Sequence, residues 1–145
     1  MGYLVHMEKQ YDYKDWDEIE KCVDLLVKKI RDTNIEFSSI STVSRGGLVP
    51  ARLVADRLRI GQIAVDPMTI PLDSLFVDDI YDTGETFRRM VERADYPDKL
   101  VYATLYARAK KHYPSQLIYA KSTDGDEYVV YPWDRFEHMT TKKDV

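Results

Sequence analysis

The sequence predicts an α/β sandwich: a mostly parallel central sheet flanked by helices. Three observations lead there. Short apolar or β-branched runs alternate with helical stretches along the chain. The polar loops Ser44–Gly47 and Asp78–Thr86 each follow a strand candidate and run into a helix. In open α/β sheets that is where ligands bind. Finally, 145 residues at 44% apolar and 32% charged suffice for one domain, residues 1–145, with its own core.

The elements follow in order. Tyr3–Met7 fits a short strand. Asp15 and Glu18 have the spacing of a capping arrangement. Trp16, Ile19, Val23, Leu26 and Ile30 step by 3, 4, 3 and 4, which predicts an amphipathic helix over Trp16–Arg31 with these residues on its dry face. Ile40–Val43 is a strand candidate, followed by a helix through Leu48, Leu53, Val54 and Leu58 that Gly61 ends. Ile63–Val65 is the second strand. Pro67 and Pro71 break the chain before the third, Leu75–Val77, which ends in Asp78 and Asp79. The loop Tyr81–Glu85 enters a helix through Phe87, Met90 and Val91. Leu100–Leu105 is the fourth strand. Leu117–Tyr119 and Tyr128–Val130 are strand-like, with Tyr128 opening a strand at the sheet's carboxyl edge. Residues 137–145 are expected to fray.

Charge and composition exclude several classes. Lys and Arg number 21 against 25 Asp and Glu, a net −4, which argues against a general nucleic-acid binder but permits a local basic pocket. The single Cys22 excludes an internal disulfide framework and a Cys-rich zinc site. No run approaches the ~18 apolar residues of a membrane span, and no basic flank precedes an apolar run. The expectation is a cytoplasmic protein with no membrane partner. His6, His112 and His138 lack ligand spacing, so each is expected at the surface. The chain has neither a GxxxxGK[ST] loop to accompany the aspartates nor an HExxH motif.

The two polar loops carry the chemistry. In Ser44–Gly47 the adjacent glycines let backbone N–H groups face a shared concavity, Arg45 adds a planar cation, and a helix N-terminus follows. That makes a seat for pyrophosphate; on these four residues alone an ordinary flexible turn is as good a reading. In the second loop a buried strand delivers adjacent carboxylates, Asp78 and Asp79. These repel, so ribose hydroxyls, a divalent cation or both must neutralise them; an oxygen set suits Mg2+. Thr83–Thr86 opens a helix with free amides and hydroxyls, a cup for a phosphate monoester. Asp82 lies between the two.

Val77–Thr86, with Leu75 and Phe76 ahead of it, resembles the PRPP-binding motif of the type I phosphoribosyltransferases (PRPP is 5-phosphoribosyl-1-pyrophosphate). Val43–Ala51 resembles the pyrophosphate loop of the purine members, the xanthine-guanine and archaeal hypoxanthine-guanine enzymes. Tyr128–Asp134 resembles their aromatic-x-x-x-Pro-Trp-acid segment. The likeness runs, with gaps, from Trp16 to Phe136.

The resemblance implies the type I phosphoribosyltransferase fold with a reduced hood. It implies that Asp78 and Asp79 hold the ribose hydroxyls and order Mg2+, directly or through water. Asp82, Thr83, Gly84, Glu85 and Thr86 would bind the 5′-phosphate, and Ser44, Arg45, Gly46 and Gly47 the pyrophosphate, across a non-proline cis peptide. Asp82 would be the general acid or base at purine N7. Tyr128 would stack on the base, Val129 read its edge through the backbone, and Arg108 stand where relatives carry a lysine on the 6-oxo group. From spacing alone Tyr128 also fits a core tyrosine packed under Trp133.

The implied reaction converts a 6-oxopurine (guanine, hypoxanthine or xanthine) and PRPP to the nucleoside 5′-monophosphate and pyrophosphate, as in purine salvage. A homodimer or homotetramer is the expected assembly. One departure stands out. Relatives close a long loop over PRPP, whereas Asp66–Ser74 is short and stiffened by two prolines. That leaves two rivals open: a PRPP- or nucleotide-sensing regulator of the same fold with little catalysis, and a transferase for another nucleobase.

Overall fold

A computed structural model describes residues 10–110 and 112–134. The strand expected at Tyr3–Met7, the tail 137–145, His6 and His138 lie outside the described residues. Asp15 Oδ1 accepts from the Glu18 amide at 2.8 Å, and Glu18 Oε1 accepts from the Asp15 amide at 3.4 Å. This capping box opens α1 (Trp16–Asp32). Ile19, Val23, Leu26 and Ile30 are buried as predicted, joined by Cys22 and Val27. Trp16 departs from the expected dry stripe: it is 49% exposed, its ring 5.8 Å from that of Trp133. Periodicity sets the face of a helix, but burial of its first residue depends on what happens to cover that end.

The sheet contains β2 (Ser39–Thr42), β3 (Ile63–Val65), β4 (Ser74–Tyr81), β5 (Val101–Arg108) and β6 (Leu117–Thr123), in the order β3-β2-β4-β5-β6. Every neighbouring pair is parallel. Alternation along β4 divides the core. Leu75 and Val77 pack with α1 and with α2 (Leu48–Leu58) on one face. Phe76 packs with Tyr102, Met90 and Ile70 on the other, the side of α3 (Glu85–Val91).

Both long strands exceed their apolar runs. The charges at Asp78 and Asp79 mimic a strand end, yet β4 continues to Tyr81 because β5 is long enough to pair with Asp78, Ile80 and Tyr81. The shorter β2 stops at Thr42, opposite Val77. Asp78 and Asp79 therefore stand just past the end of β2, beside the loop that leaves it.

The buried stripe of α2 is Pro50, Ala51, Val54 and Ala55, while Leu48 is 39% exposed. Small residues carry this contact, so a search for large apolar positions misplaces the face. Arg59, in the left-handed conformation at φ 59°, ends the helix in place of Gly61.

A second correction concerns the C-terminal strand. Tyr128 begins β7 (Tyr128–Val130), but β7 does not extend the main sheet. It pairs in parallel with β1 (Tyr11–Tyr13) in a separate two-stranded hood, Tyr11 facing Tyr128. A three-residue Tyr-Asp-Tyr segment has no periodicity to reveal it; its partner makes it a strand.

Candidate active site

The loop after β2 and the carboxylate pair of β4 are held in contact by glycine. A Cβ on Gly46 would lie 2.9 Å from Asp79 Oδ2. On Gly47 it would lie 2.1 Å from Thr42 Oγ1 and 3.0 Å from the Val77 carbonyl oxygen. No side chain fits at Gly47 without moving backbone, so the loop closes tightly on the end of β4. The Ser44–Arg45 peptide is cis, as the resemblance implies. Asp66, itself at φ 50°, accepts from the Ser44 amide at 2.9 Å and from Ser44 Oγ at 2.5 Å. These bonds hold the Asp66 carboxyl below its ordinary pKa, the hydroxyl bond foremost.

Asp78 is 5% exposed. It accepts from the Tyr102 hydroxyl and from the Asp79 amide, each at 2.8 Å. Burial raises its pKa, against the pull of those bonds. Asp79 accepts from the Ile80 amide at 2.8 Å. Its pKa is pushed well up, by burial first and then by the neighbouring Asp78 charge. Burial, with Asp78 beside it, drives the Tyr102 phenol far up as well. Two carboxylates held this way favour a ligand that supplies donors or positive charge.

Past β4 the chain turns through Asp82, Thr83 and Gly84 into α3. Thr83 Oγ1 accepts from the Glu85 amide at 3.3 Å, and Arg88 Nη1 donates to the Thr83 carbonyl at 3.4 Å. A cleft of about 280 Å3 opens here, lined by Ser44 and Gly46 on one side, Asp78 and Asp79 below, and Asp82–Phe87 on the other. The expected ribose and 5′-phosphate residues thus share one cleft with Ser44 and Gly46 of the pyrophosphate loop. The exposed Arg45 and the buried Gly47, whose amide donates to the Val43 carbonyl at 3.0 Å, do not line it.

An adjoining pocket of about 140 Å3 shares Gly46, Asp79, Ile80 and Asp82 with that cleft and adds Arg108, Tyr128, Val129, Tyr131 and Asp134. All expected base-binding residues line it. Arg108 reaches this position only because β5 continues to residue 108. Its Nε lies 3.6 Å from Asp82 Oδ1, a pair in which Arg108 is 15% and Asp82 57% exposed. Tyr128 is half-buried and meets the Tyr11 ring edge-on, centroids 6.1 Å apart. The ring stacked on Trp133 is that of Tyr131, at 4.7 Å and 5°. Spacing had left Tyr128 open to that core role.

Several residues at the site escape sequence reasoning. Tyr102 and Arg89 line the cleft, and Tyr131 and Asp134 the pocket. The Tyr131 hydroxyl is buried with no hydrogen-bond partner among the described residues. Tyr102 had no sequence signal: the register sets it opposite Phe76, and its hydroxyl reaches Asp78 diagonally. Asp66 had none. His112 is exposed, as expected. Among the described residues no group of three or more His, Cys, Asp or Glu could hold a metal alone, and no helix is long and apolar enough to cross a membrane.

No family model matches the chain. It is 28% identical over 141 residues to a xanthine-guanine phosphoribosyltransferase of Gluconobacter oxydans, covering 82% of each chain. Among solved structures it superposes on a purine phosphoribosyltransferase of Pyrococcus horikoshii with TM-score 0.68 and 24% identity, covering 83% of this chain and 92% of that one. A hypothetical protein of Neisseria gonorrhoeae, solved with bound ppGpp, superposes with TM-score 0.70 and 19% identity, covering 95% and 97%. The fold is that of the type I phosphoribosyltransferases, and the chain resembles their purine members in sequence.

Proposed function

We propose that the chain transfers the 5-phosphoribosyl group of PRPP to a 6-oxopurine, giving the nucleoside 5′-monophosphate and pyrophosphate. The observation carrying this reading is the shared wall of Gly46, Asp79 and Asp82. It joins a cleft with a pyrophosphate loop, a carboxylate pair and a phosphate cup to a pocket holding Tyr128 and Arg108. A base and a ribose phosphate bound in the two would meet beside Asp82. The similarity to xanthine-guanine enzymes supports the same reading.

In the proposed reaction the bond from the anomeric carbon to pyrophosphate breaks and a bond to a purine nitrogen forms. Asp78 and Asp79 accept from the ribose 2′- and 3′-hydroxyls and orient the sugar. Thr83–Thr86 bind the 5′-phosphate. Ser44 and Gly46 of the loop bind the departing pyrophosphate as its charge grows, with Arg45 adding positive charge from outside the cleft lining and Gly47 letting the loop close on β4. Tyr128 stacks on the base, the Val129 backbone reads its edge, and Asp82 takes the proton lost at N7. Arg108 orients the Asp82 carboxylate and donates to the 6-oxo group.

Mg2+ fits this donor set. Asp78 and Asp79 offer oxygen only, their raised pKa values mark a site short of positive charge, and among the described residues too few protein ligands surround them for a cage. Such a site suits an ion that keeps waters and shares substrate oxygens. When bound, it would neutralise the phosphates and the leaving pyrophosphate. A cytoplasmic homo-oligomer completes the reading.

Incubation with Mg-PRPP and a panel of guanine, hypoxanthine, xanthine, adenine, uracil and orotate, with chromatography of the products, tests the assignment. Nucleotides from the 6-oxopurines are expected. A product only from another base would keep the transferase and discard the purine. One observation favours a regulator instead. The segment 66–73 is pinned: Ile70 is fully buried and bonded to Arg93 and Asp95 through backbone, each at 2.9 Å. It is no swinging lid. Tight nucleotide binding with no product from any base would select that reading.

A further inference from the structure

The cleft is lined by more negative than positive charge. Asp78, Asp79, Asp82 and Glu85 line it, and among the described residues Arg89 is the one cation that does so. A pyrophosphate entering it must find positive charge somewhere. Arg89 stands in the last turn of α3, and Arg93 lies two residues past its end. Arg93 Nη1 donates to the Pro67 carbonyl at 3.0 Å, which ties the exit of the helix to the segment 66–67. Asp66 in turn holds Ser44 of the pyrophosphate loop. Arg89 lines the cleft together with Ser44 and Gly46 of that loop and with Asp78, Asp79 and Tyr102, and its charge makes a minor contribution to holding the Asp66 and Asp78 carboxylates ionised. Its neighbour Arg88 turns the other way, onto the Thr83 carbonyl beneath the 5′-phosphate cup.

We propose that Arg89 binds the pyrophosphate group of PRPP, covering from α3 the side of the cleft that the short, pinned segment 66–73 leaves open. The inference rests on the PRPP reading above and adds a residue to it. A planar guanidinium suits this position because it presents two parallel donors to phosphate oxygens and keeps its charge at any physiological pH. It also offsets the acids that crowd the leaving group.

Titration calorimetry in Mg2+ with inorganic pyrophosphate, PRPP and GMP, on the parent, Arg89→Gln and Arg89→Lys, tests it. Arg89 is exposed, so the variants are expected to keep the parent melting temperature. Arg89→Gln should weaken pyrophosphate and PRPP about 10- to 100-fold, the loss of one charge-assisted contact. GMP, which lacks the pyrophosphate, should stay within a few-fold. Arg89→Lys should recover part of the loss. Unchanged pyrophosphate affinity in Arg89→Gln overturns the inference. So does an equal loss for GMP, which would move Arg89 to the 5′-phosphate. A parent that binds neither pyrophosphate nor PRPP removes the PRPP reading itself, and this inference with it.

Discussion

Asp78 and Asp82 stand four residues apart, yet one is 5% exposed within β4 and the other's side chain 57% exposed beyond it. Around Asp78 the surroundings are short and fixed: it accepts two 2.8 Å hydrogen bonds, burial pushes its carboxyl up, and Gly47 closes tightly on the carbonyl of the preceding Val77. Around Asp82 the ion pair to Arg108 is 3.6 Å long, and the pocket draws on β5, β7 and the loop between β4 and α3. The difference teaches where each half takes its specificity. On the proposed reading the ribose-phosphate half is fixed by close contacts before any ligand arrives, which suits a site that positions a reacting carbon. The proposed base half draws on several elements, from the buried Val129 and Tyr131 to the partly buried Arg108 and the exposed Asp82.

The largest expected effect breaks the comparison on the exposed side. Asp82→Asn keeps size and removes the base. The rate of nucleotide formation should fall ~10²- to 10⁴-fold, while PRPP affinity by calorimetry stays within a few-fold. A variant as fast as the parent would leave Asp82 a binding group only.

On the buried side, Asp78→Asn with Asp79→Asn should weaken Mg-PRPP binding about 100-fold or more, through loss of two charge-assisted contacts. Stability should not suffer, because the repelling charges are gone. Unchanged affinity would remove the ribose assignment.

Tyr128→Ala should raise the purine KM about 10- to 100-fold, the worth of an aromatic stack, with PRPP affinity and melting temperature little changed. Tyr128→Phe should be nearly silent. A large drop in melting temperature with an unchanged purine KM would make Tyr128 a packing residue of the hood.

The smallest effect is in stability. In the ligand-free protein Asp79 titrates well above its ordinary value, so the folded state holds a proton that the unfolded chain has already lost. Its contribution is most favourable below the unfolded value near ~4 and worsens as pH rises to the folded value. Asp79→Asn should therefore be more stable than the parent at pH 7. The gain should shrink toward pH 4, as urea denaturation at both pH values would record. Equal stability at pH 7 would mean that the pair is not strained by burial.

The two halves also differed in how far they could be read from sequence. The ribose-phosphate residues lie in contiguous strings, Ser44–Gly47 and Asp78–Thr86, because a strand followed by a helix start presents consecutive amides and side chains to one ligand. Tyr102, Asp66 and Arg89 join them only through strand register and loop packing, which leave no local pattern. The base pocket depended on β5 running three residues past its apolar stretch and on β7 finding β1. Pairing with a partner strand decided both. The exposed Trp16 and the alanine-lined face of α2 deceived for a related reason: large apolar residues advertise a core, while close contact is made by small ones.

The most direct test of the transferase reading is pyrophosphate release from saturating Mg-PRPP, followed with and without guanine or hypoxanthine. Release should require the purine and match the nucleoside monophosphate formed mole for mole. PRPP that binds but releases no pyrophosphate with any nucleobase would contradict that reading and leave this fold a sensor of the ligand.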